Sequence, residues 1–288
     1  MDASHFTFDA IGTTWDVNCL FPRGNADEVY AKIRARIDLF DVTYSRFRSD
    51  SLVQKMAKEA GVYEMPSDFA PLWSVYESLY RLSGGAFTPL VGSLLEDFGY
   101  DANYSLTKKD SIRPVPPLHT AVSYTPPTLT ILKPALLDIG AGGKGHLVDI
   151  VGAILKNGGA ESFTINAGGD ILQYGATTLK VGLENPDNTA EALGIVHIQN
   201  ESICGSAGNR RRLGSEHHIV DPKTGVSPKN INAVWVIAQS ALLADALATA
   251  LYFTDPEILL AEYSFDYAIL FSDQSVRYSS RFSESFFS

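Results

Sequence analysis

The sequence predicts an α+β fold with mixed or antiparallel sheets and packed helices, not a doubly wound parallel sheet. Hairpin-like pairs of short alternating segments recur, at residues 6–21 and again near the C-terminus. Helical patterns lie between them without the regular strand–helix alternation of a parallel sheet. A glycine signature of a dinucleotide-binding βαβ unit is present, but it begins only at Gly140 and no βαβαβ train surrounds it.

Taken in order, residues 6–21 alternate apolar and polar side chains around Gly12, as in a β-hairpin or a long bent strand. Residues 26–40 put Val29, Ile33, Ile37 and Phe40 on one face of a helix. A second helix is expected over residues 68–82, with Ser67 as N-cap. Phe69, Leu72, Trp73, Tyr76, Leu79 and Tyr80 form its broad apolar stripe. Residues 101–127, rich in Pro, Ser and Lys, read as an irregular excursion. Residues 128–139 read as extended chain, and residues 145–156 as a helix closed by Gly158-Gly159. Short strands follow at 163–166, 171–174, 179–184, 194–199 and 233–238. A helix over 240–252 is next, then a short one capped by Asp255 with Pro256 at its first position. Residues 267–271 and 276–279 close the chain as a hairpin.

At 288 residues and 45% hydrophobic, the chain can bury the core of one large domain or two small ones. Its net charge of −10 leaves no electrostatic footprint for nucleic acid or an anionic membrane. A single anionic ligand is still open to it through local dipoles and a metal. Cys19 and Cys204 are far apart and outside any CxxC pair, so buried thiols are expected rather than a zinc site or disulfide. The N-terminus has no basic or apolar leader pattern, and no run nears the ~20 apolar residues of a transmembrane segment. The sequence as written reads as cytoplasmic; removal of an export or lipoprotein leader would leave the same sequence.

Four segments place glycines, carboxylates and hydroxyls where a bare scaffold has no need of them. In Asp138-Ile139-Gly140-Ala141-Gly142-Gly143-Lys144-Gly145, glycines let backbone approach a phosphate, and a following helix offers N–H groups to an anion. Lys144 adds positive charge; the plain alternative is a glycine-rich turn without a ligand. Asn166-Ala167-Gly168-Gly169-Asp170 is a tight turn that suits any hairpin. The third segment runs from Ser206-Ala207-Gly208-Asn209 through Arg210-Arg211-Arg212 to His217-His218-Ile219-Val220-Asp221-Pro222-Lys223-Thr224-Gly225. His218, before a strand-like Ile-Val and a turn, is either a held general base or a solvated loop histidine. The arginine run is either a solvated loop or a docking surface. In the fourth, Asp245 and Thr249 share one face of an alanine- and leucine-rich helix. A carboxylate buried there needs a partner. Either it joins Thr249 and a loop carbonyl around Mg²⁺, or it bonds a backbone amide while Thr249 bonds the carbonyl one turn back.

Together and in this order, these segments resemble the ApbE family of FAD:protein FMN transferases. The resemblance spans residues 11–252 and adds Ile11-Gly12-Thr13, Tyr44-Ser45-Arg46-Phe47-Arg48-Ser49-Asp50-Ser51 and Gly84-Gly85-Ala86-Phe87-Thr88-Pro89. It implies one ApbE-like α+β domain over residues 1–288, or two intertwined subdomains. It also implies a Mg²⁺-dependent enzyme that cleaves FAD, attaches FMN through a phosphoester bond to a Thr or Ser of an acceptor flavoprotein, and releases AMP. Mg²⁺ would sit on the Ala141 carbonyl, Asp245 and Thr249. The isoalloxazine ring would stack on Phe47; Ala86, Phe87 and Thr88 would line the nucleotide pocket, with Asp138 and Lys144 nearby and Ile11 at its edge. His218 would deprotonate the acceptor hydroxyl, so catalysis is expected to depend on His218 and Asp245.

Several positions depart from the family pattern. Phe47 replaces Tyr and Thr88 replaces Asp. Ser206-Ala207-Gly208 replaces Thr-Ser-Gly, and Arg210 replaces a following Tyr. These changes are expected to touch substrate recognition more than the metal. Two rivals are an FAD pyrophosphatase using the same metal site and a non-catalytic FAD-binding protein.

Overall fold

The computed structural model describes residues 2–22, 25–209, 212–213 and 216–287. It opens with strands β1 (Asp2–Ala10) and β2 (Thr13–Phe21), paired antiparallel down to Ala10↔Thr13. The two-residue turn between them puts Ile11 and Gly12 at φ 44° and 80°. Such a turn needs positive φ at both central positions. Gly12 meets this without strain, whereas the β-branched Ile11 does not.

Helix α1 (Ala26–Tyr44) is followed by α2 (Leu52–Met56), β3 (Gly61–Glu64), α3 (Phe69–Leu82) and α4 (Gly92–Asp97). Next come α5 (Leu118–Ala121), β4 (Val122–Thr125), β5 (Thr128–Ile131) and α6 (Gly143–Asn157). Strands β6 (Ser162–Ala167), β7 (Asp170–Tyr174), β8 (Leu179–Glu184), β9 (Ala192–Ile198) and β10 (Ser202–Ala207) lead to short β11 (Arg212–Leu213) and β12 (Glu216–His217). The chain ends with β13 (Ile231–Ala238), α7 (Ala241–Ala250), α8 (Pro256–Leu260), β14 (Asp266–Phe271) and β15 (Val276–Tyr278).

Among the described residues the main sheet has eight strands in the order β1-β2-β6-β7-β10-β13-β14-β15. Every neighbouring pair in it is antiparallel. β13 shows how it is covered. Its even residues Val234 and Val236 join the larger core with α1, α6 and α7. Its odd residues Ala233, Trp235 and Ile237 join a second core under the β8–β9 hairpin. With side chains alternating between two covered faces, the strand is apolar throughout. Among the described residues no helix is long and apolar enough to cross a membrane.

Some elements differ from the sequence reading. β10, in the middle of the sheet, was not foreseen, because Ser-Ile-Cys-Gly-Ser-Ala has the composition of a turn. α1 runs on to Tyr44 rather than ending at 40, since Tyr44 is buried and Thr43 Oγ1 donates back to the Leu39 carbonyl. Ser67 is not the cap of α3: Asp68 holds that position, and its carboxylate pairs with Arg36 instead of capping. The 101–127 excursion ends in structure, α5 and β4. Of the extended stretch 128–139 only β5 is a strand, and α6 begins at Gly143 rather than 145.

Candidate active site

α6 and α7 cross at their N-terminal turns, and each caps the other. The Asp245 carboxylate, from α7, accepts from Gly145 N–H at 2.9 Å. In return Asp149, from α6, accepts from the Ala241 and Leu242 amides, each at 2.9 Å. A side chain at Gly145 would run into the Ala241 carbonyl and Asp245 Cβ, so only glycine permits this approach. The negative charges sit where orphan amides and helix dipoles favour them. Of the two readings for Asp245, the amide contact is therefore present, and it leaves the second carboxylate oxygen out of that bond. Thr249 does not follow the plain alternative: its Oγ1 lies 3.3 Å from Ser206 Oγ.

Beside Asp245, Lys144 forms an ion pair with Asp170, which is fully buried. Asp170 Oδ1 has no hydrogen-bond partner. Burial pushes the Asp245 carboxyl well above the usual carboxylate range; Asp170 adds to this, against Lys144 and the Gly145 amide. Burial alone would lower the Lys144 ammonium, but Asp170 and Asp245 outweigh it and raise its pKa. Two carboxylates thus share one ammonium in a buried place. Among the described residues no three His, Cys, Asp or Glu side chains form a metal cage. The set implied for Mg²⁺ is of another kind: one carboxylate, one hydroxyl and one carbonyl, all hard oxygens. The unpartnered Asp170 oxygen and the excess of negative charge fit a cation there.

Above this floor stands a second ion pair. Arg46 Nε donates to Asp138 Oδ2 at 2.5 Å and Arg46 Nη1 to the Tyr100 carbonyl at 2.5 Å, while Gly140 N–H donates to Asp138 Oδ1. Asp138 is thereby committed to Arg46 and to the glycine loop. The Arg46 guanidinium also lies over the Phe47 ring. Phe87 packs on Tyr76 in the core and Ala86 is buried next to it. Thr88 Oγ1 accepts from Leu90 N–H, so its hydroxyl caps a local turn.

The two adjacent histidines differ. His217 is buried: Nε2 meets the Pro228 carbonyl at 2.9 Å and its backbone N–H donates to Ser227 Oγ. His218 is half-buried, edge-on to Tyr100, and faces the cleft. Ile219-Val220 is not a strand, so His218 sits on a bend after β12 rather than on a rigid edge. Arg210 and Arg211, with the departure at 210, lie outside the described residues. At position 206 the departure touches the floor, because Ser206 meets Thr249.

One cleft of about 2070 Å³ is lined by Ile11, Phe47, Ala86, Phe87, Thr88, Asp138, Ala141, Lys144, His218, Asp245 and Thr249. Every site residue expected from the sequence therefore opens onto the same space. A model of the ApbE family matches residues 11–269. The chain belongs to the ApbE family. The FAD:protein FMN transferase of Treponema pallidum (strain Nichols) is 29% identical over 308 residues, covering 93% of this chain and 84% of that protein. The FAD:protein FMN transferase of Rhodobacter capsulatus is 28% identical over 207 residues, 66% of this chain but only 39% of its own length. The solved ApbE protein of Thermotoga maritima superposes with a TM-score of 0.84 at 21% identity, covering 98% of both chains. The flavin transferase ApbE of Vibrio cholerae gives 0.80 at 20% identity over the same share. At such identities these two structures speak to the fold, which is the ApbE-like, non-Rossmann one expected.

Sequence reasoning missed Arg46, Ser206 and Tyr104 in the lining of this ApbE cleft, and the buried Asp170 that pairs with Lys144. Arg46 and Asp170 lay inside quoted motifs as charges without assigned partners. Ser206 was read as a departure from pattern. Tyr104, which stacks on Phe47, sits in the excursion and carried no local signal.

Proposed function

We propose that this ApbE-family protein is a Mg²⁺-dependent FAD:protein FMN transferase, moving the FMN half of FAD onto a Thr or Ser hydroxyl of an acceptor flavoprotein. The observation that carries the proposal is the meeting, in one cleft, of a buried oxygen cluster and a half-buried histidine, with an aromatic wall between. The names of the curated relatives support it. Asp245, Thr249 and the Ala141 carbonyl are the oxygens that would hold Mg²⁺, which when bound supplies positive charge to the pyrophosphate.

The chain's own residues account for the rest. Phe47 takes the isoalloxazine ring, and Ala86, Phe87, Thr88 and Ile11 enclose the nucleotide. Asp138 works through Arg46, holding the Phe47 segment against the glycine loop. Lys144 adds charge beside the phosphates. His218 takes the proton of the acceptor hydroxyl; the oxygen attacks the FMN phosphorus, the bond to the AMP phosphate breaks, and AMP leaves. The cleft volume of about 2070 Å³ exceeds the roughly 300–1,000 Å³ of ordinary small-molecule sites. Such a volume has room for FAD together with an acceptor segment.

The test mixes the purified protein with FAD, MgCl₂ and a threonine-containing peptide, then follows peptide mass and AMP release. The proposal expects an FMN-sized mass gain that disappears with EDTA and in His218→Ala. AMP release without peptide modification would make it a pyrophosphatase. Tight FAD binding with neither product would sink the transferase and leave a flavin-binding protein.

A further inference from the structure

The Phe47 ring already has two partners. The Arg46 guanidinium carbon lies 4.1 Å from its centroid, and Tyr104 stacks on it with centroids 5.5 Å apart and planes 21° from parallel. A planar ligand that stacks on Phe47 must take the place of one of them. Arg46 cannot yield, because it is buried and fixed by Asp138 and the Tyr100 carbonyl. Tyr104 can. It is 41% exposed, opposite a Phe47 that is 39% exposed, and both line the cleft.

The chain around Tyr104 is built as a strap. Its far end is pinned to α4, where Asp97 accepts from Lys109 Nζ at 2.9 Å and Arg113 Nε at 2.8 Å. Its near end is held by Leu106 N–H on the Gly99 carbonyl and by Asp101 Oδ1 on the Asn103 and Ser105 amides. Within that near end Tyr104 and Leu106 stand at φ 48° and 49°, a region such side chains rarely adopt, and the Tyr104 N–H donates to the Asp101 carbonyl. The backbone under Tyr104 is thus fixed, and its exposed side chain is the part left to move.

We infer that Tyr104 is a second aromatic wall of the ring seat: its ring lifts from Phe47 and closes over the outer face of the isoalloxazine. Aromatic planes hold a fused ring well from both sides. The inference rests on the flavin seat proposed at Phe47.

The experiment titrates FAD into the full chain, reading flavin fluorescence quenching, with AMP as a ring-free comparison. Tyr104→Ala is expected to weaken FAD binding roughly ten-fold, as loss of one stacking face does. Tyr104→Phe should bind FAD like the parent, and AMP affinity should stay the same in both. Unchanged or tighter FAD binding in Tyr104→Ala would make Tyr104 a bystander or a plug and overturn the inference, as would an equal loss of AMP affinity. Phe47→Ala separates the two levels. If it weakens FAD binding while Tyr104→Ala does not, only the strap falls. If Phe47→Ala is also silent, the seat at Phe47 falls with it.

Discussion

At the floor of the cleft, Lys144 and Gly145 from α6, Asp245 from α7 and Asp170 from β7 bring three elements together, and each residue is tied to another. At the rim, Phe47, Tyr104 and His218 stand on irregular chain and remain half-exposed. The two regions have different tasks under the proposed chemistry. Charge on a pyrophosphate is best met by groups already in place, which cost no reorganisation at the moment of reaction. A flavin ring and an acceptor hydroxyl must enter and leave, which calls for chain that can give. Metal chemistry should therefore fail with the floor, while proton transfer and ring recognition fail with the rim.

The largest expected effect comes from the floor. Asp245→Asn keeps an oxygen for the Gly145 amide but loses the charge. Metal assistance of several kcal/mol then goes, cutting turnover about 10⁴-fold. Titrating MgCl₂ against activity checks this, since the variant should not recover at any concentration. At the rim, His218→Ala should lower turnover about 10³-fold, within the range for general-base help, with FAD affinity retained. Loss of FAD binding in that variant would erase the distinction between floor and rim.

Stability should sort the same way. Gly145→Ala drives a methyl into the Ala241 carbonyl and Asp245 Cβ, and overpacking of that kind costs about 1–3 kcal/mol, measurable by urea unfolding. The anchor of the strap gives a smaller, pH-dependent effect. Burial alone would raise the Asp97 carboxyl, but hydrogen bonds from Arg113 and Lys109 hold it down at about 2. A depressed carboxylate stabilises the fold above its unfolded value and loses that contribution as pH falls through about 2. Asp97→Asn should therefore cost about 2 kcal/mol at neutral pH, and the gap to the parent should close on acidification.

Much of this was legible in the residues. Of the two readings around Gly12 the structure has the hairpin, and it also has the stripes of α1 and α3, the Gly158-Gly159 stop and the Asp255-Pro256 start, each of which follows from local chemistry. β10 was hidden because its neighbours in the sheet, β7 and β13, supply what its own composition lacks. Ser67 failed as a cap because Asp68 was drawn to Arg36, a partner on another helix. The cleft followed the same rule. Motif residues could be quoted from the chain, while the pairings that give them meaning could not. Arg46 with Asp138, Lys144 with Asp170 and Phe47 with Tyr104 all join segments far apart or without a shared pattern.

The exchange of carboxylates between α6 and α7 also works as a register lock. Asp149 caps the start of α7 while Asp245 holds the start of α6, so the two contacts are set by one axial position. Sliding either helix by a single turn, about 5.4 Å, would break both caps at once and bury two carboxylates without donors. Thr249 and the glycine loop ride on those same helices. Their spacing is thus indexed to the helix pair as a vernier is to its scale, and an insertion or deletion upstream of residue 138 or between Ala238 and the Ser240 cap can be absorbed there without shifting it.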